Sequence, residues 1–466
     1  MNPVTVSASR SSDHLLVGDD VSSIRNDVCV LSATGEVLLN HQPFANDVPG
    51  YHAMRDTLLD LLDQTSAGGF DYAGEATGWY WFHTFYALAH DEALNGIDVR
   101  LSLFNPRQTH AFKKVMASRD HSDPKDARVV AERARFARAE HPPVLDDTWL
   151  GRRLLTRHYY HLSHALAAEK TYFSAFLFLK ASAYRQLKLF TDVFGATSSA
   201  ILTQYSTIQE LADLPLAELE GLLKTLSHNH LPNVEEKVQR LHAVAVNSFP
   251  VPPHMIEPLN LVLRSTLEHI RFLEQQLADT VAAIEQAFAG VRELAWLMSI
   301  PGMGLILAAC LLAELGPFDR FFDGTVTDPK TGHTRAKNAR DAEASIAKWA
   351  GLWWPRHQSG TFEGEITRMA KDGNRYARYA LIQLANCLRE HSAEFAARAA
   401  YDRKHAESKT HAHKRALVLS ARKAIGLIVA LLHTGQTYRA PEPYRNVLSP
   451  HQARKQAVDS PTATAP

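Results

Sequence analysis

Short apolar runs open the chain and long apolar stripes with helical spacing follow, and this change of period divides it. Leu15 to Val21 is a run of strand length, and Asp27 to Leu31 with Glu36 to Leu39 predict a hairpin around Ala33-Thr34-Gly35. A helix is expected from about Gly50 to Asp63, a strand from Phe70 to Glu75, a helix from Trp79 to His90 and a strand from Val99 to Phe104. Helices over about Pro106 to Ala117 and Pro124 to Ala137 complete the segment. A hairpin followed by strand–helix alternation is the order of an RNase H-like α/β domain, placed over residues 14–140.

His141-Pro142-Pro143 breaks the pattern, and the chain then reads as helical from about Thr148 to Phe190, with shorter helices over 205–246. From Ile256 to Phe288 an apolar repeat (Leu259, Leu263, Leu267, Ile270, Leu273, Leu277) faces a charged side. Such a stripe fits a coiled coil joining two subunits, or a helical hairpin within one. The helical and coiled-coil middle therefore covers 148–290. A mainly α C-terminal domain is expected over 297–438, opening on Ser299-Ile300-Pro301-Gly302-Met303-Gly304, half of a helix-hairpin-helix pattern. Residues 324–341 are polar and read as an inserted loop, and the Pro-, Ser- and Thr-rich stretch 439–466 as a disordered tail.

Charge adds a contrast that the net value of zero conceals. Residues 1–100 carry 4 Lys/Arg against 14 Asp/Glu, whereas residues 351–440 carry 15 against 7. An acidic part suited to metal ions and a basic part suited to phosphates is one reading; two oppositely charged domains docking on each other is the plainer one. Three scattered cysteines (Cys29, Cys310, Cys387) exclude a disulfide framework and a CxxC zinc site and suit a reducing cytoplasm. The first 13 residues are polar, unlike a signal peptide. The most apolar stretches, such as Ala424 to Leu432, are short for a bilayer, so a cytoplasmic protein without a membrane partner is expected.

Four carboxylates stand where chemistry would need them. Asp20 lies near the end of the first strand and Glu75 at the end of another, in Gly74-Glu75-Ala76-Thr77-Gly78. Asp123 and Asp126 share one side of a helix's first turn in Ser122-Asp123-Pro124-Lys125-Asp126. Together they could hold a pair of Mg2+ ions for work on a phosphodiester. Separately, the two aspartates equally suit helix capping around Pro124. Asp19 points opposite to Asp20 on a strand, which makes Asp20 the candidate. Ser359, in Arg356-His357-Gln358-Ser359-Gly360, reads as a loop serine. Arg356, Arg368, Lys371, Arg375 and Arg378, with Lys414, Arg415, Arg422 and Lys423, are candidate phosphate contacts or solvated helix faces.

In their order, Gly18-Asp19-Asp20-Val21-Ser22, Glu75-Ala76-Thr77-Gly78, Asn105-Pro106-Arg107-Gln108 and Ser122-Asp123-Pro124-Lys125-Asp126-Ala127-Arg128 resemble the motifs of the DEDD insertion-sequence transposases. Ile300-Pro301-Gly302-Met303-Gly304, Ala350-Gly351-Leu352, Gln358-Ser359-Gly360, Lys371-Asp372-Gly373-Asn374-Arg375 and Ala421-Arg422-Lys423 extend the resemblance to about residue 438. It implies a RuvC-like N-terminal domain whose Asp20, Glu75, Asp123 and Asp126 bind Mg2+. It also implies a C-terminal domain whose Ser359 attacks a DNA phosphate and carries a 5′-phosphoserine link. The partners implied are donor and target DNA, a structured noncoding guide (bridge) RNA, and further copies of the chain in a dimer or tetramer. Asp19 departs from the family, which usually has an apolar residue there. The alternatives are a RuvC-like metal-dependent junction nuclease without a covalent intermediate and a non-catalytic nucleic-acid-binding descendant.

Overall fold

A computed structural model describes residues 14–115, 123–137, 143–328, 331–355, 358–359, 362–363, 369–370, 372–406 and 410–459. The first segment forms β1 (His14–Val21), β2 (Arg25–Leu31), β3 (Val37–Ala45), α1 (Val48–Thr65), β4 (Gly69–Glu75), α2 (Phe82–His90), β5 (Asp98–Phe104), α3 (Pro106–Val115) and α4 (Asp123–Phe136). The five strands lie in the order β3-β2-β1-β4-β5. β1 runs antiparallel to β2 and parallel to β4, and β4 runs parallel to β5. This is the hairpin-first mixed sheet expected of an RNase H-like domain.

The alternation of side chains along β1 builds two unlike faces. Leu15, Val17 and Val21 join Phe70, Tyr72, Met54, Leu58 and Phe85 in the larger core, under α1 and α2. Leu16 turns the other way and packs with Cys29, Leu31, Ala127 and Ala131 of α4. On the same face a Cβ at Gly18 would lie 2.2 Å from the Ala127 carbonyl oxygen. Only glycine lets α4 approach the sheet so closely.

The chain divides into two units, residues 1–153 with 288–466, and residues 154–287. The second unit lies within the expected middle region, and the first takes in residues of both the expected N- and C-terminal domains. In the middle are α5 (Asp147–Lys180), α6 (Ala196–Gln204), α7 (Leu216–Leu226), α8 (Val234–Asn247) and α9 (Pro253–Ala287). The helix expected to reach Phe190 stops at Lys180. That lysine is buried, and its ammonium donates to the carbonyls of Leu202 (2.7 Å) and Tyr205 (2.6 Å) and to Asn260 Oδ1 (2.5 Å).

The α9 stripe corrects the expectation of a subunit-joining coiled coil. Leu259, Leu263, Leu267 and Ile270 are buried within their own chain, among Phe173, Leu177, Leu202, Leu223 and Leu241. A residue already covered by α5 to α8 has no apolar surface left for a second copy. Leu263→Ala is therefore expected to cost about 3 kcal/mol of stability, read by chemical denaturation. Glu at Leu263 and Ile270 is expected to unfold the middle unit, seen as lost ellipticity, rather than to release folded monomers.

The C-terminal part comprises α10 (Arg292–Met298), α11 (Leu305–Leu315), β6 (Thr325–Thr327), β7 (Thr334–Ala336), α12 (Ala339–Trp349), β8 (Gln358–Ser359), β9 (Phe362–Glu363), α13 (Arg375–His391), α14 (Ala393–Lys404), α15 (Ala412–Thr434) and α16 (Pro450–Asp459). The Ile300–Gly304 motif forms the turn between α10 and α11, as expected of a helical hairpin. The expected inserted loop instead holds the β6–β7 hairpin, whose Arg335 pairs with Asp341 at the start of α12. The expected disordered tail is corrected over 439–459, its remaining residues lying outside those described. Ser449 and Gln452 cap α16 reciprocally, and Arg454 pairs with Glu390.

α15 contains the apolar stretch judged short for a bilayer, yet at 23 residues it is long and apolar enough to cross one. Its Ala421, Ala424, Ile425, Ile428 and Val429 are buried, and it packs on α12, α13 and α14, as the central helix of this layer. Cys29, Cys310 and Cys387 are all unbonded.

Candidate active site

The α4 face of the sheet sets the acids in place. β1 and β4 run parallel with Asp19 opposite Gly74, so the next positions, Asp20 and Glu75, leave neighbouring strand ends together. Both share the face of Gly18 and Ala73, over which α4 lies. Asp126 approaches from the first turn of α4, and its carboxylate receives the ammonium of Lys113. The lysine comes from α3, one turn after Thr109, and both residues are buried. Asp126 thus takes part in the acid cluster through a partner on another helix, whatever it contributes to capping. Asp123 begins α4, but its side chain lies outside the described residues.

Electrostatics tie these groups together. Burial first, then repulsion from Asp20 and Asp126, hold the Glu75 carboxyl above the usual range, while a hydrogen bond from Thr109 and the charge of Lys113 act the other way. Asp27, directly opposite Asp20 on β2, adds a further buried carboxylate to this face. It is held by the Arg25 guanidinium at Nε (2.8 Å), which offsets its charge, and by His41 Nε2 (2.7 Å).

Asp19 occupies the other face, as the strand alternation predicts. It is completely buried and accepts a 2.6 Å hydrogen bond from the Tyr72 hydroxyl, and its Oδ1 has no partner. Burial pushes its carboxyl well above the ordinary range; Tyr72 opposes this, and Asp20 and Asp27 reinforce it. A carboxyl on this face points away from Asp20, Glu75 and Asp126, and burial disfavours its charged form.

Carboxylate oxygens are the hard donors that Mg2+ prefers, and three of them from two strands and a helix suit that ion. Among the described residues, however, no group of three His, Cys, Asp or Glu is gathered closely enough to hold a metal by itself. The cation found among these acids is the Lys113 ammonium.

In the C-terminal part, Ser359 lies in β8 and pairs with Phe362 of β9, so the expected loop serine stands on a short hairpin. Its side chain, and all of Arg356, Arg368 and Lys371, lie outside the described residues. Nearby motif segments assemble on each other. A Cβ at Gly373 would lie 2.3 Å from the Trp349 carbonyl oxygen, so glycine is needed where this turn docks on the end of α12. Asn374 caps α13 through the backbone N–H groups of Tyr376 and Ala377 and donates to buried Glu314 at 2.7 Å. Arg107, at the start of α3, reaches Asp372 of the same turn at 3.1 Å.

The candidate phosphate-binding residues fall into two groups. Arg375, Lys414 and Arg415 are exposed. Arg422 instead pairs with Glu343 (2.6 Å), Lys423 with Glu394 (2.7 Å), and Arg378 donates to the Ala350 carbonyl (3.0 Å). These three are drawn into holding α12, α13, α14 and α15 together. Arg422 and Lys423, read as candidate phosphate contacts or solvated helix faces, each have a carboxylate partner distant in sequence.

Two family profiles match the chain in the order of its motifs. A DEDD transposase profile of the IS110 type covers residues 17–179, and one described as "Transposase IS116/IS110/IS902 family" covers residues 332–400. In both parts the chain is similar to transposases of the IS110 family. The family's DEDD domain carries an RNase H-like α/β fold, in agreement with the sheet described above. An insertion element IS900 protein of 42 kDa from Mycobacterium paratuberculosis is 27% identical over 38% of this chain and 39% of its own length. An insertion element IS110 protein of 43.6 kDa from Streptomyces coelicolor is 34% identical over 32% of this chain and 30% of its own. The IS117 mini-circle protein of the same species is 25% identical over 64% of this chain and 70% of its own. The chain thus spans less than half the length of the first two of these relatives. Lys113, Thr109 and Asp27 are the residues of this acidic face that sequence reading missed. A lysine on an amphipathic helix gives no sign of being buried, and Asp27 shows its place only once the β1–β2 register is known.

Proposed function

We propose that this protein is an insertion-sequence DNA transposase that cuts and rejoins strands through Ser359. In this reading Asp20, Glu75, Asp123 and Asp126 bind Mg2+, and a structured noncoding RNA of the same element guides the enzyme. The observation that carries the reading is the placement of Asp20, Glu75 and Asp126 at one end of one sheet face, beneath α4. When bound there, Mg2+ supplies Lewis acidity toward a phosphate oxygen and charge for the leaving oxygen.

The chain's own groups divide the remaining work. Asp20, Glu75 and Asp126 would hold the ion, and Glu75 gives up any proton it holds before it can ligate. The Ser359 hydroxyl forms the new Oγ–P bond as the 3′ oxygen leaves, and its proton passes to that oxygen. The phosphoserine link keeps the bond energy that rejoining needs. Exposed Arg375, Lys414 and Arg415 would hold the strand by its phosphates. The likeness to this family supports RNA guidance, in which base pairing chooses the sequence and the protein reads shape and backbone.

The test is a denaturing gel of full-length protein incubated with donor DNA, the element's noncoding RNA and Mg2+. A slowly migrating, protease-sensitive DNA adduct that needs Mg2+ is expected. Free cut ends without adduct would favour a metal-dependent junction nuclease, and intact DNA under all conditions would overturn the reading.

A further inference from the structure

The acidic face carries its own cation. Lysine is among the residue types least often buried unless paired, and the Lys113 side chain is only 8% exposed. Its ammonium contacts Asp126 Oδ1 and lies close enough to Glu75 to favour that group's ionised form. Asp20 and Asp126 both repel Glu75, so the three carboxylates need a positive charge among them to remain together when ionised. Lys113 supplies it from α3, on the side of the helix that also presents Thr109 to Glu75.

An ammonium and a metal ion make different demands on these oxygens. The ammonium carries a single charge and donates hydrogen bonds on a flexible stem. Mg2+ carries two charges and requires a near-octahedral shell of oxygens at about 2.1 Å. A carboxylate oxygen held by Lys113 is not free to enter that shell. We propose that Lys113 is the resident counter-cation of the acidic site, and that a divalent ion binds only by displacing its ammonium from Asp126. This rests on the reading of Asp20, Glu75 and Asp126 as metal ligands.

The displaced ammonium, carried on a flexible four-carbon stem, would take new acceptors from a DNA phosphate bound at the cluster. Metal affinity is then low in the free protein and rises when a phosphodiester arrives to take the lysine. The strand-cutting centre stays idle until DNA is present, which limits stray cleavage by metal alone.

Mn2+ binding to the full-length protein without DNA, followed by electron paramagnetic resonance, tests this. Lys113→Met, which keeps the stem and removes the charge, is expected to bind Mn2+ about tenfold tighter than the wild type or better. Its melting midpoint in EDTA should fall below that of the wild type, and Mn2+ should close the gap. Lys113→Gln provides the same charge removal should Met not fold. Binding by both variants equal to or weaker than the wild type overturns the proposal. If Asp20→Asn and Asp126→Asn abolish Mn2+ binding while Lys113→Met binds no tighter, only the role of Lys113 is lost. If those two substitutions leave Mn2+ binding untouched in the Lys113→Met background, the metal-site reading itself fails, and this proposal with it.

Discussion

Ser359→Ala is expected to bind guide RNA and donor DNA like the wild type and to form no covalent DNA adduct. Recombination should fall by about 10^4-fold or more, the scale seen when a nucleophile is removed from a group of residues that act as one unit. The reason is chemical. An enzyme that activates water releases free ends and tolerates the loss of a distant hydroxyl, whereas rejoining without an outside energy source requires the ester that the serine keeps. Because Ser359 sits on the short β8–β9 hairpin, removing one oxygen should leave stability nearly unchanged. A Ser359→Ala protein that cleaves and rejoins at the wild-type rate would remove the serine from the mechanism. A variant that still cuts but cannot rejoin would point to a hydrolytic enzyme.

The neighbouring aspartates of β1 provide the second large contrast. Asp20→Asn is expected to reduce recombination by about a thousandfold, comparable to losing one preorganised charge-stabilising group, with a thermal midpoint close to that of the wild type. Asp19→Asn should do the reverse, keeping most activity and changing stability. The Asp19 carboxyl is buried with its proton affinity raised, so above about pH 4 the unfolded chain releases a proton that the folded chain keeps. Stability is therefore lost as pH rises through that window, and the amide, which does not titrate, escapes the loss. Denaturant midpoints in EDTA should show Asp19→Asn and the wild type close together near pH 4 and the variant ahead at pH 8. Loss of activity in Asp19→Asn with Asp20→Asn unaffected would reverse the assignment of the two faces.

Period and punctuation made much of the N-terminal domain legible. The strands near residues 15, 70 and 99 lie where apolar runs meet turn residues, and period 2 alone separates Asp19 from Asp20. Residues whose meaning depends on distant partners stayed hidden. The apolar stripe of α9 reads the same whether a second chain or the same chain covers it, and only the packing of Leu263 and Ile270 against α5 to α8 decides. Arg422 and Lys423 look like a free basic pair until Glu343 and Glu394 arrive from other helices. The Pro-, Ser- and Thr-rich composition after residue 438 suggests disorder, but Ser449 and Pro450 are a helix cap and its first turn. Lys113 gave no signal, because burial on an amphipathic helix is set by what lies opposite.

The contact between Gly18 and α4 has a consequence for reading genomes. One methyl group at that position would meet the backbone of Ala127 and Ala131 and lift α4, and Asp126 with it, off the sheet. An insertion element can therefore fall silent through a single-carbon change while every acid and the serine remain in its reading frame. A census of mobile copies that checks only those five residues will count extinct elements as living, and the glycine two positions before the first acid is the cheapest correction to it.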